Sequence, residues 1–419
     1  MSRVVPFVLS ILFAVSSRVG AGELPRDKPN AVGLMERTLA EVQPGLTKLV
    51  ADNKIAGAVA LVARHGKVAY VATVGYRDLA KKTPMTEDTI FAIASMSKPI
   101  TCVAAMMLVE EGKLNLDDPV DKYVPALNNL RALGNAKDDT AEALATVPIQ
   151  RTMLVRHLFA HTAGFSYGFA IFGTETERRM IRAYSKANLL TGRLKTISEL
   201  PPELAKLPLA HEPGEGWTYG MSHDVLGRVI EVVSGQPLDQ FLNDRIFVPL
   251  DMTDTSFLVP EAKRDRMATI YTTASAPGGA LTALPRTFGS ATYFSGGGGL
   301  FSTARDYSRF AQMLLNNGEL EGKRFITRDS LNLMTSNQIG DHMVFGILKY
   351  GLGFGLVNRS TPGDDKPVLD SYFWAGAYST NFWVDPRRDI IGLVMTQVMP
   401  VAQTAEQLLH QAVNKAVEK

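Results

Sequence analysis

A serine and a lysine three residues apart are the residues of this chain best suited to chemistry. Ser95 and Lys98 lie in an apolar segment, FAIASMSKPITCVAAMML, and form the only Ser-x-x-Lys of the sequence. Residues three apart on a helix share a face, so a helix that begins here would place the hydroxyl beside the amine. A lysine accepts a proton only when it is neutral, which burial, a nearby cation or a hydrogen-bonded phenol favours. The pair predicts an activated serine nucleophile, although a Ser-x-x-Lys also arises by chance.

The residues after the pair have the pattern of a buried helix. Apolar residues recur at helical spacing over 100–108, Pro99 stands at an early position and Gly112 follows the last turn. A pair without function would more often lie on a polar surface. Here the pair leads into a core, where a desolvated lysine is expected.

Two later segments add further candidate site residues. Tyr219 lies in a Gly-rich loop before an amphipathic helix. Near the C-terminus, Trp374-Ala375-Gly376 is interpreted as a turn that leads into a strand, with a second strand over 390–396. The order of the segments, Ser-x-x-Lys, then Tyr, then Trp-x-Gly, is specific.

In this order the motifs resemble those of the serine β-lactamase and penicillin-binding-protein superfamily, within it the class C-like branch that includes the family VIII carboxylesterases. The similarity runs from about Val42 to the end and includes NLDDPVDKYVP, VRHLFAHTAGF and GGGGLFSTARDYSRFAQMLL. The resemblance implies an α+β, β-lactamase/transpeptidase-like fold, in which an antiparallel sheet flanked by helices is joined to a mostly helical domain. The active site would lie in the cleft between them.

The resemblance also assigns roles to individual residues. It implies that Ser95 is the nucleophile and that Lys98 is the family's catalytic lysine. It also implies that Tyr219 shares a proton with Lys98, activates Ser95 and protonates the leaving group. The amides of Ser95 and Ala377 would form the oxyanion hole. The Asn of the family's Tyr-x-Asn element is replaced by Met221, which removes a contact that would orient the lysine or a substrate amide.

The strand motif favours a neutral acyl group. The Lys-Thr-Gly of β-lactamases supplies a cation and a hydroxyl for a substrate carboxylate, whereas Trp374 and Ala375 supply neither. Together with Gly376 and Met221 they are the predicted substrate-binding residues. Loss of a charge-assisted contact costs roughly 1.5 to 3 kcal/mol, about one to two decades of selectivity.

The sequence therefore predicts a serine hydrolase that works through an acyl-enzyme, most consistent with a carboxylesterase on short-chain or aryl esters. A β-lactamase, a D-amino-acid peptidase or amidase, and a transesterase remain alternatives because the fold does not fix the substrate. A non-catalytic penicillin-recognising or structural homologue is the alternative from another class. The chemistry needs no cofactor and no metal, and the expected partner is a small ester or amide.

Other motifs offer weaker alternatives. Gly164-Phe165-Ser166-Tyr167-Gly168 matches the Gly-x-Ser-x-Gly of α/β-hydrolases, but that motif requires a buried strand before it, and helical spacing precedes it here. His157 and His161 are spaced as a metal pair without an evident third ligand, so packing or capping is favoured.

Glycines and aromatic residues are also candidates to line the site. The run 296–299 lacks the Lys and Ser/Thr of a phosphate-binding loop and is interpreted as close backbone packing under the active site, with Thr303 as a helix N-cap. Core aromatics are the commoner case, but several here are candidates for an acyl pocket: Trp217, Phe165, Tyr167, Phe169, Phe172, Tyr293 and Phe294.

Composition agrees with a hydrolase that does not bind nucleic acid. The 419 residues are 46% hydrophobic with a net charge of +2, and the single cysteine, Cys102, excludes an internal disulfide. Residues 1–21 have the pattern of a signal peptide, which predicts a periplasmic or secreted protein without a stable membrane span after cleavage. A linker is expected over 22–33 and the hydrolase domain over 34–419. Its α/β part would comprise about 34–100 and 336–419, and its helical part about 101–335; the oligomeric state is not predicted.

Overall fold

A computed structural model describes residues 22–140, 143–169, 173–190, 194–273, 280–344, 346, 348–359, 368–402 and 404–417. The predicted signal peptide, residues 1–21, and the pocket candidate Phe172 lie outside the described residues.

The described α-helices are α1 Glu36–Leu39, α2 Val42–Ala51, α3 Ser97–Glu110, α4 Val155–Phe159, α5 Glu175–Tyr184, α6 Leu200–Leu204, α7 Ser222–Ser234, α8 Leu238–Leu242, α9 Ala304–Leu315, α10 Arg328–Met334 and α11 Thr404–Ala416. The described strands are β1 Gly57–Arg64, β2 Lys67–Asp78, β3 Thr83–Pro84, β4 Phe91–Ala92, β5 Arg131–Leu133, β6 Thr146–Pro148, β7 Tyr271–Thr272, β8 Thr282–Ala283, β9 Phe301–Ser302, β10 Glu319–Leu320, β11 Lys323–Arg324, β12 Lys349–Tyr350, β13 Gly355–Arg359, β14 Val368–Gly376, β15 Thr380–Asp385, β16 Ile390–Met395 and β17 Val398–Met399.

The main sheet joins the two ends of the chain. Its order in the described residues is β12-β13-β14-β15-β16-β1-β2-β3, and neighbouring strands are antiparallel. The N-terminal hairpin turns at His65-Gly66 and pairs through β1 with the C-terminal strand β16, Val59 opposite Met395. The predicted antiparallel sheet built from both ends of the chain is present.

Helices cover both faces of this sheet. Side chains alternate along a strand, so Val59 and Leu61 of β1 enter one core while Ala58 and Ala60 enter the other. The first core contains α3 and α9, and the second contains α2 and α11. Because β1 is buried on both sides, its sequence is apolar without alternation.

The helix that carries Lys98 is buried nearly all round. Residues 97–108 of α3 are buried and pack against α7, and this explains their continuous apolar sequence. Ser95 lies one turn earlier, in the 3-10 helix Ala94–Met96. Gly112, just beyond α3, has a φ of 68°, the left-handed conformation that a glycine adopts without strain. The helix predicted after the Ser-Lys pair is therefore correct.

The N-terminal segment differs in detail from its prediction. The first residues of the hydrolase domain form two helices, α1 and α2, because Pro44 lacks an amide proton and its ring would clash with the carbonyl of residue 40 in a continuous helix. Residues 22–33, predicted as a linker, lie against the sheet: Leu24 is buried and Arg26 pairs with Val68. In the described part of the chain, no helix has the length and apolarity required to cross a bilayer.

Candidate active site

Ser95 is presented by a strained turn at the start of the buried helix. The residue before it, Ala94, has a φ of 43°, a left-handed conformation that costs a non-glycine residue of the order of 1 kcal/mol. The Ser97 hydroxyl donates to the Ala94 carbonyl at 2.7 Å and accepts from the Leu300 amide at 3.1 Å. These contacts hold the turn, and Ser95 itself remains partly accessible.

Lys98 is fully buried and makes three hydrogen bonds. Its Nζ donates to Ser95 Oγ at 3.0 Å, to the Tyr167 hydroxyl at 3.0 Å and to the Gly297 carbonyl at 2.6 Å. The serine and the lysine are therefore in direct contact, as their spacing predicts. An amine beside a serine hydroxyl in a desolvated site can act as the base for that hydroxyl.

The two tyrosines near Lys98 contact it in different ways. The ring of Tyr219 lies with its centroid 4.7 Å from Nζ, a cation–π arrangement. Among the described residues, the phenol that hydrogen-bonds Lys98 is that of Tyr167 rather than that of Tyr219. The proton-sharing contact that the family resemblance implied for Tyr219 is therefore absent from this structure, and a catalytic role of Tyr219 stays a prediction.

The glycine run supplies one wall of the site. Lys98 bonds the carbonyl of Gly297, and the Thr101 hydroxyl bonds that of Gly296 at 2.8 Å. A Cβ on Gly297 would lie 2.5 Å from Asp224 Oδ2 and 2.8 Å from the Tyr167 hydroxyl. The prediction of close backbone packing under the active site is correct. Thr303 caps α9 as predicted, accepting from the Asp306 amide.

The Trp-Ala-Gly motif ends a strand instead of forming a turn. Trp374, Ala375 and Gly376 are the last residues of β14, and the turn follows them. A Cβ on Gly376 would lie 2.4 Å from the Ile93 carbonyl, so this glycine allows the strand to approach the turn that carries Ser95. Ala377, the predicted oxyanion donor, is the exposed residue that comes next.

Trp374 and Met221 are both buried. The ring centroid of Trp374 lies 5.6 Å from that of Tyr219 and 5.0 Å from that of Tyr350, so Trp374 packs among aromatic rings. Met221 stands just before α7, where its carbonyl accepts from the amide of Asp224. Neither position supplies a cation or an amide, but a substrate-binding role for these residues is a prediction that the structure leaves untested.

Sequence analysis did not place three buried ionisable groups around the site, although it considered one of them, His161, as half of a metal pair. Burial raises the pKa of Asp224, whose Oδ1 accepts from the Ser295 hydroxyl and the Gly297 amide. Burial lowers the pKa of His161 and His223 well below the usual value, and their rings lie 4.4 Å apart between centroids. Both imidazoles are therefore neutral at pH 7. The burial of His223 and Asp224 could have been predicted from the sequence, because both lie among the apolar residues of α7.

The alternative motifs have structural roles. Ser166 lies in a loop after α4, without a preceding strand, and its Oγ accepts from the Gly168 amide at 2.9 Å. His157 Nδ1 accepts from the Leu154 amide at 3.1 Å and so caps α4, as the capping interpretation predicts. Of the pocket candidates, Phe165 and Phe294 are core residues, whereas Phe169 is 48% exposed.

This arrangement, a serine and a buried lysine at the start of a helix beside an antiparallel sheet, is of the serine-hydrolase type. The chain belongs to the Beta-lactamase family, whose family model matches residues 43–415. The family and the α+β fold predicted from the motifs are confirmed.

Relatives within this family include esterases. Protein Rv1367c of Mycobacterium tuberculosis is 37% identical over 83% of this chain and 86% of its own length. Esterase EstB of Burkholderia gladioli is 29% identical over 88% of this chain and 93% of its own. The solved structure of EstCE1, described as a hydrolase with promiscuous acyltransferase activity, superposes with a TM-score of 0.72 at 26% identity, covering 90% of this chain and 98% of that one. An enzyme with esterase-like activity is supported by these comparisons.

Proposed function

We propose that the protein is a carboxylesterase that hydrolyses short-chain or aryl esters through an acyl-enzyme on Ser95. The observation that carries the proposal is the 3.0 Å contact between Ser95 Oγ and the buried Lys98 amine. The esterase relative EstB and the EstCE1 hydrolase support the same class of reaction.

In the acylation step, Ser95 Oγ attacks the ester carbonyl carbon while the Lys98 amine takes its proton. The developing oxyanion accepts hydrogen bonds from the amides of Ser95 and Ala377. Collapse of the tetrahedral intermediate breaks the bond to the alkoxy group, and the Tyr219 hydroxyl protonates the departing oxygen. The Lys98 ammonium then returns a proton to Tyr219, so charge and protons balance. This step requires the Tyr219 hydroxyl to move within hydrogen-bond distance of Nζ, because Nζ lies over the Tyr219 ring in this structure.

Deacylation reverses these roles with water as the nucleophile. The same basic groups take a proton from water as its oxygen attacks the acyl carbonyl. The bond to Ser95 Oγ breaks, the serine recovers its proton, and the carboxylic acid leaves. Each step uses a side chain or amide of this chain.

The uncharged motif Trp374-Ala375-Gly376 at the end of β14 is the reason for the expected preference for esters. A β-lactam or D-peptide carboxylate would find Trp374 where the family places a lysine, and Trp374 is buried against other aromatic rings. Loss of that charge-assisted contact corresponds to a selectivity of about one to two decades in favour of uncharged acyl groups. We expect β-lactam turnover to be correspondingly weak.

Hydrolysis of p-nitrophenyl acetate and butyrate tests the proposal, with nitrocefin as the β-lactam comparison. We expect ester hydrolysis by the wild type, its loss in Ser95→Ala, and retained but reduced activity in the matched variant Ser166→Ala, because the Ser166 hydroxyl only accepts from the Gly168 amide. Loss of activity in the Ser166 variant alone would overturn the assignment of the nucleophile. A protein that neither hydrolyses esters nor reacts with a fluorophosphonate would support the non-catalytic alternative.

A second candidate function is acyl transfer to an alcohol. It is favoured by EstCE1, described as a hydrolase with promiscuous acyltransferase activity. Both reactions share the acyl-enzyme and differ in the acceptor that attacks it. Added 1-butanol tests this candidate, because transfer would form butyl butyrate from p-nitrophenyl butyrate whereas pure hydrolysis yields butyrate alone.

We also propose that residues 1–21 direct export. The proposal rests on their charged start, apolar run and small residues at the end. N-terminal sequencing of the protein from a bacterial periplasmic fraction should begin at Gly22, and a cytoplasmic protein that retains Met1 would contradict export.

A further inference from the structure

Lys98 has a full set of acceptors, but they are not equivalent. Its Nζ donates to Ser95, Tyr167 and the Gly297 carbonyl. A carbonyl oxygen can only accept, whereas a hydroxyl can accept or donate. A neutral amine has two N–H donors and one lone pair, so the lone pair can face only Ser95 or Tyr167. It activates Ser95 only when Tyr167 accepts an N–H instead.

The hydrogen bond from Lys98 to Tyr167 involves an acceptor different from the asparagine that the family resemblance implies. The family resemblance implied an asparagine two residues after Tyr219, and Met221 occupies that position. Its thioether is at best a weak acceptor for a lysine N–H. The acceptor comes instead from a loop more than fifty residues earlier, through the Tyr167 hydroxyl at 3.0 Å.

A hydrogen bond and close backbone packing hold the loop around Tyr167 in place. The Gly168 amide donates to Ser166 Oγ at 2.9 Å, which closes a turn around Tyr167. Gly168 has a φ of 73° and packs so closely that a Cβ would lie 2.6 Å from Tyr184 Cβ. The Gly-x-Ser-x-Gly motif thus fixes the tyrosine at its fourth position, while its serine serves as a backbone acceptor.

The phenol is also held from its sides. The Tyr167 ring stacks on Phe169 with centroids 5.6 Å apart and meets Tyr219 edge-on at 5.5 Å. Burial, together with the negative charge of Asp224, raises the pKa of Tyr167 well above its usual value, so it remains a neutral phenol. Because Gly297 has no side chain, the Asp224 carboxyl and the Tyr167 hydroxyl face the same small space.

We propose that Tyr167 is a positioning residue for the proposed esterase reaction: its hydroxyl accepts a Lys98 N–H in place of the missing asparagine and so directs the amine lone pair at Ser95. The inference rests on the proposed function, since it assumes that Lys98 is the base for Ser95. No covalent step passes through Tyr167.

The test combines removal of the hydroxyl with restoration of the amide. Tyr167→Phe keeps the ring and deletes only the acceptor. Met221→Asn introduces the amide at the position just before α7, where asparagine is a favourable N-cap residue. With p-nitrophenyl butyrate, we expect Tyr167→Phe to lower kcat by about 10- to 100-fold with little change in KM, since the hydroxyl touches the base and not the substrate. The double variant should recover most of that loss in kcat.

Tyr184→Phe is the matched control. Tyr184 packs against Gly168 in the same region, and its hydroxyl donates to the Pro208 carbonyl at 3.2 Å without contacting Lys98. Its kcat should stay within about twofold of wild type, even if the melting temperature falls. Reaction with a fluorophosphonate counts the folded active sites of each variant, so kcat is expressed per site.

The outcomes separate this inference from the proposed function. A wild type that hydrolyses esters together with an equally active Tyr167→Phe overturns the role of Tyr167 alone. A defect in KM, or a defect in kcat that Met221→Asn does not relieve, overturns it as well. An inactive wild type that no fluorophosphonate labels overturns the proposed function itself. Loss in kcat with recovery in the double variant supports the inference.

Discussion

His157 makes the stability of the fold dependent on pH in a way that one substitution can isolate. Burial lowers its pKa from 6.5 to about 4, assisted by the nearby charges of Arg151 and Arg156. In the unfolded chain, His157 becomes protonated below about pH 6.5. In the folded protein it stays neutral down to about pH 4. The stability contributed by neutral His157 is therefore complete above pH 6.5, declines as the pH falls through that range, and is constant below about pH 4.

The size of this effect follows from the two pKa values. Between pH 7 and pH 4.5, linkage gives a loss of about 2.5 kcal/mol for a fully buried group. His157 is partly exposed, and screening by solvent reduces the expected loss to about 1 to 2 kcal/mol. His161 and His223 add losses of the same sign, since burial lowers the pKa of both.

His157→Gln removes the titration and keeps the cap. Its side-chain oxygen can accept from the Leu154 amide, as a glutamine does at the third position of a helix. Urea unfolding of wild type and variant at pH 7 and pH 4.5 gives the difference in free energy of unfolding, and contributions of other groups cancel between the two proteins. We expect the variant to lose about 1 to 2 kcal/mol less than wild type on acidification. Equal losses in the two proteins would refute the argument.

Two further substitutions test the site and its support. Gly376→Ala places a methyl group 2.2 Å from Thr380 Oγ1 and 2.4 Å from the Ile93 carbonyl, so it should displace the end of β14 and lower kcat by at least about tenfold. Gly134→Ala, whose nearest contact would be 3.4 Å, is its control, and equal activity of the two variants would contradict the role of this close approach. Thr303→Ala should lower the free energy of unfolding by about 1 kcal/mol by removing the cap of α9, and Thr303→Ser should retain most of it. Calorimetry checks both, and an unaffected Thr303→Ala would argue against the cap.

Local spacing predicted the parts of the site that lie close in sequence. Ser95 and Lys98 are three residues apart on one helix, so their contact follows from helix geometry alone. The order of the motifs also identified the family and hence the antiparallel sheet. The end of β14 was missed because Trp374-Ala375-Gly376 was assigned to a turn, although the strand begins before it and runs through it.

The contacts between distant segments could not be predicted in this way. Met221 indicated only that an amide was missing, and nothing in the sequence around Tyr167 shows that its hydroxyl reaches Lys98. His161 and His223 meet through the packing of two separate segments. Such contacts depend on the positions of whole loops, which residue periodicity does not specify.

The pairing of β1 with β16 determines when the main sheet can be completed during synthesis of the chain. During synthesis the N-terminal hairpin and the nucleophile helix emerge first, while β1 still lacks the neighbour that covers its free edge. Ser95 lies in the early part of the chain, and Ala377, its proposed partner in holding the oxyanion, lies in the late part. A nascent or truncated chain therefore carries the proposed nucleophile without the rest of the proposed site, which forms only when the two ends of the polypeptide meet.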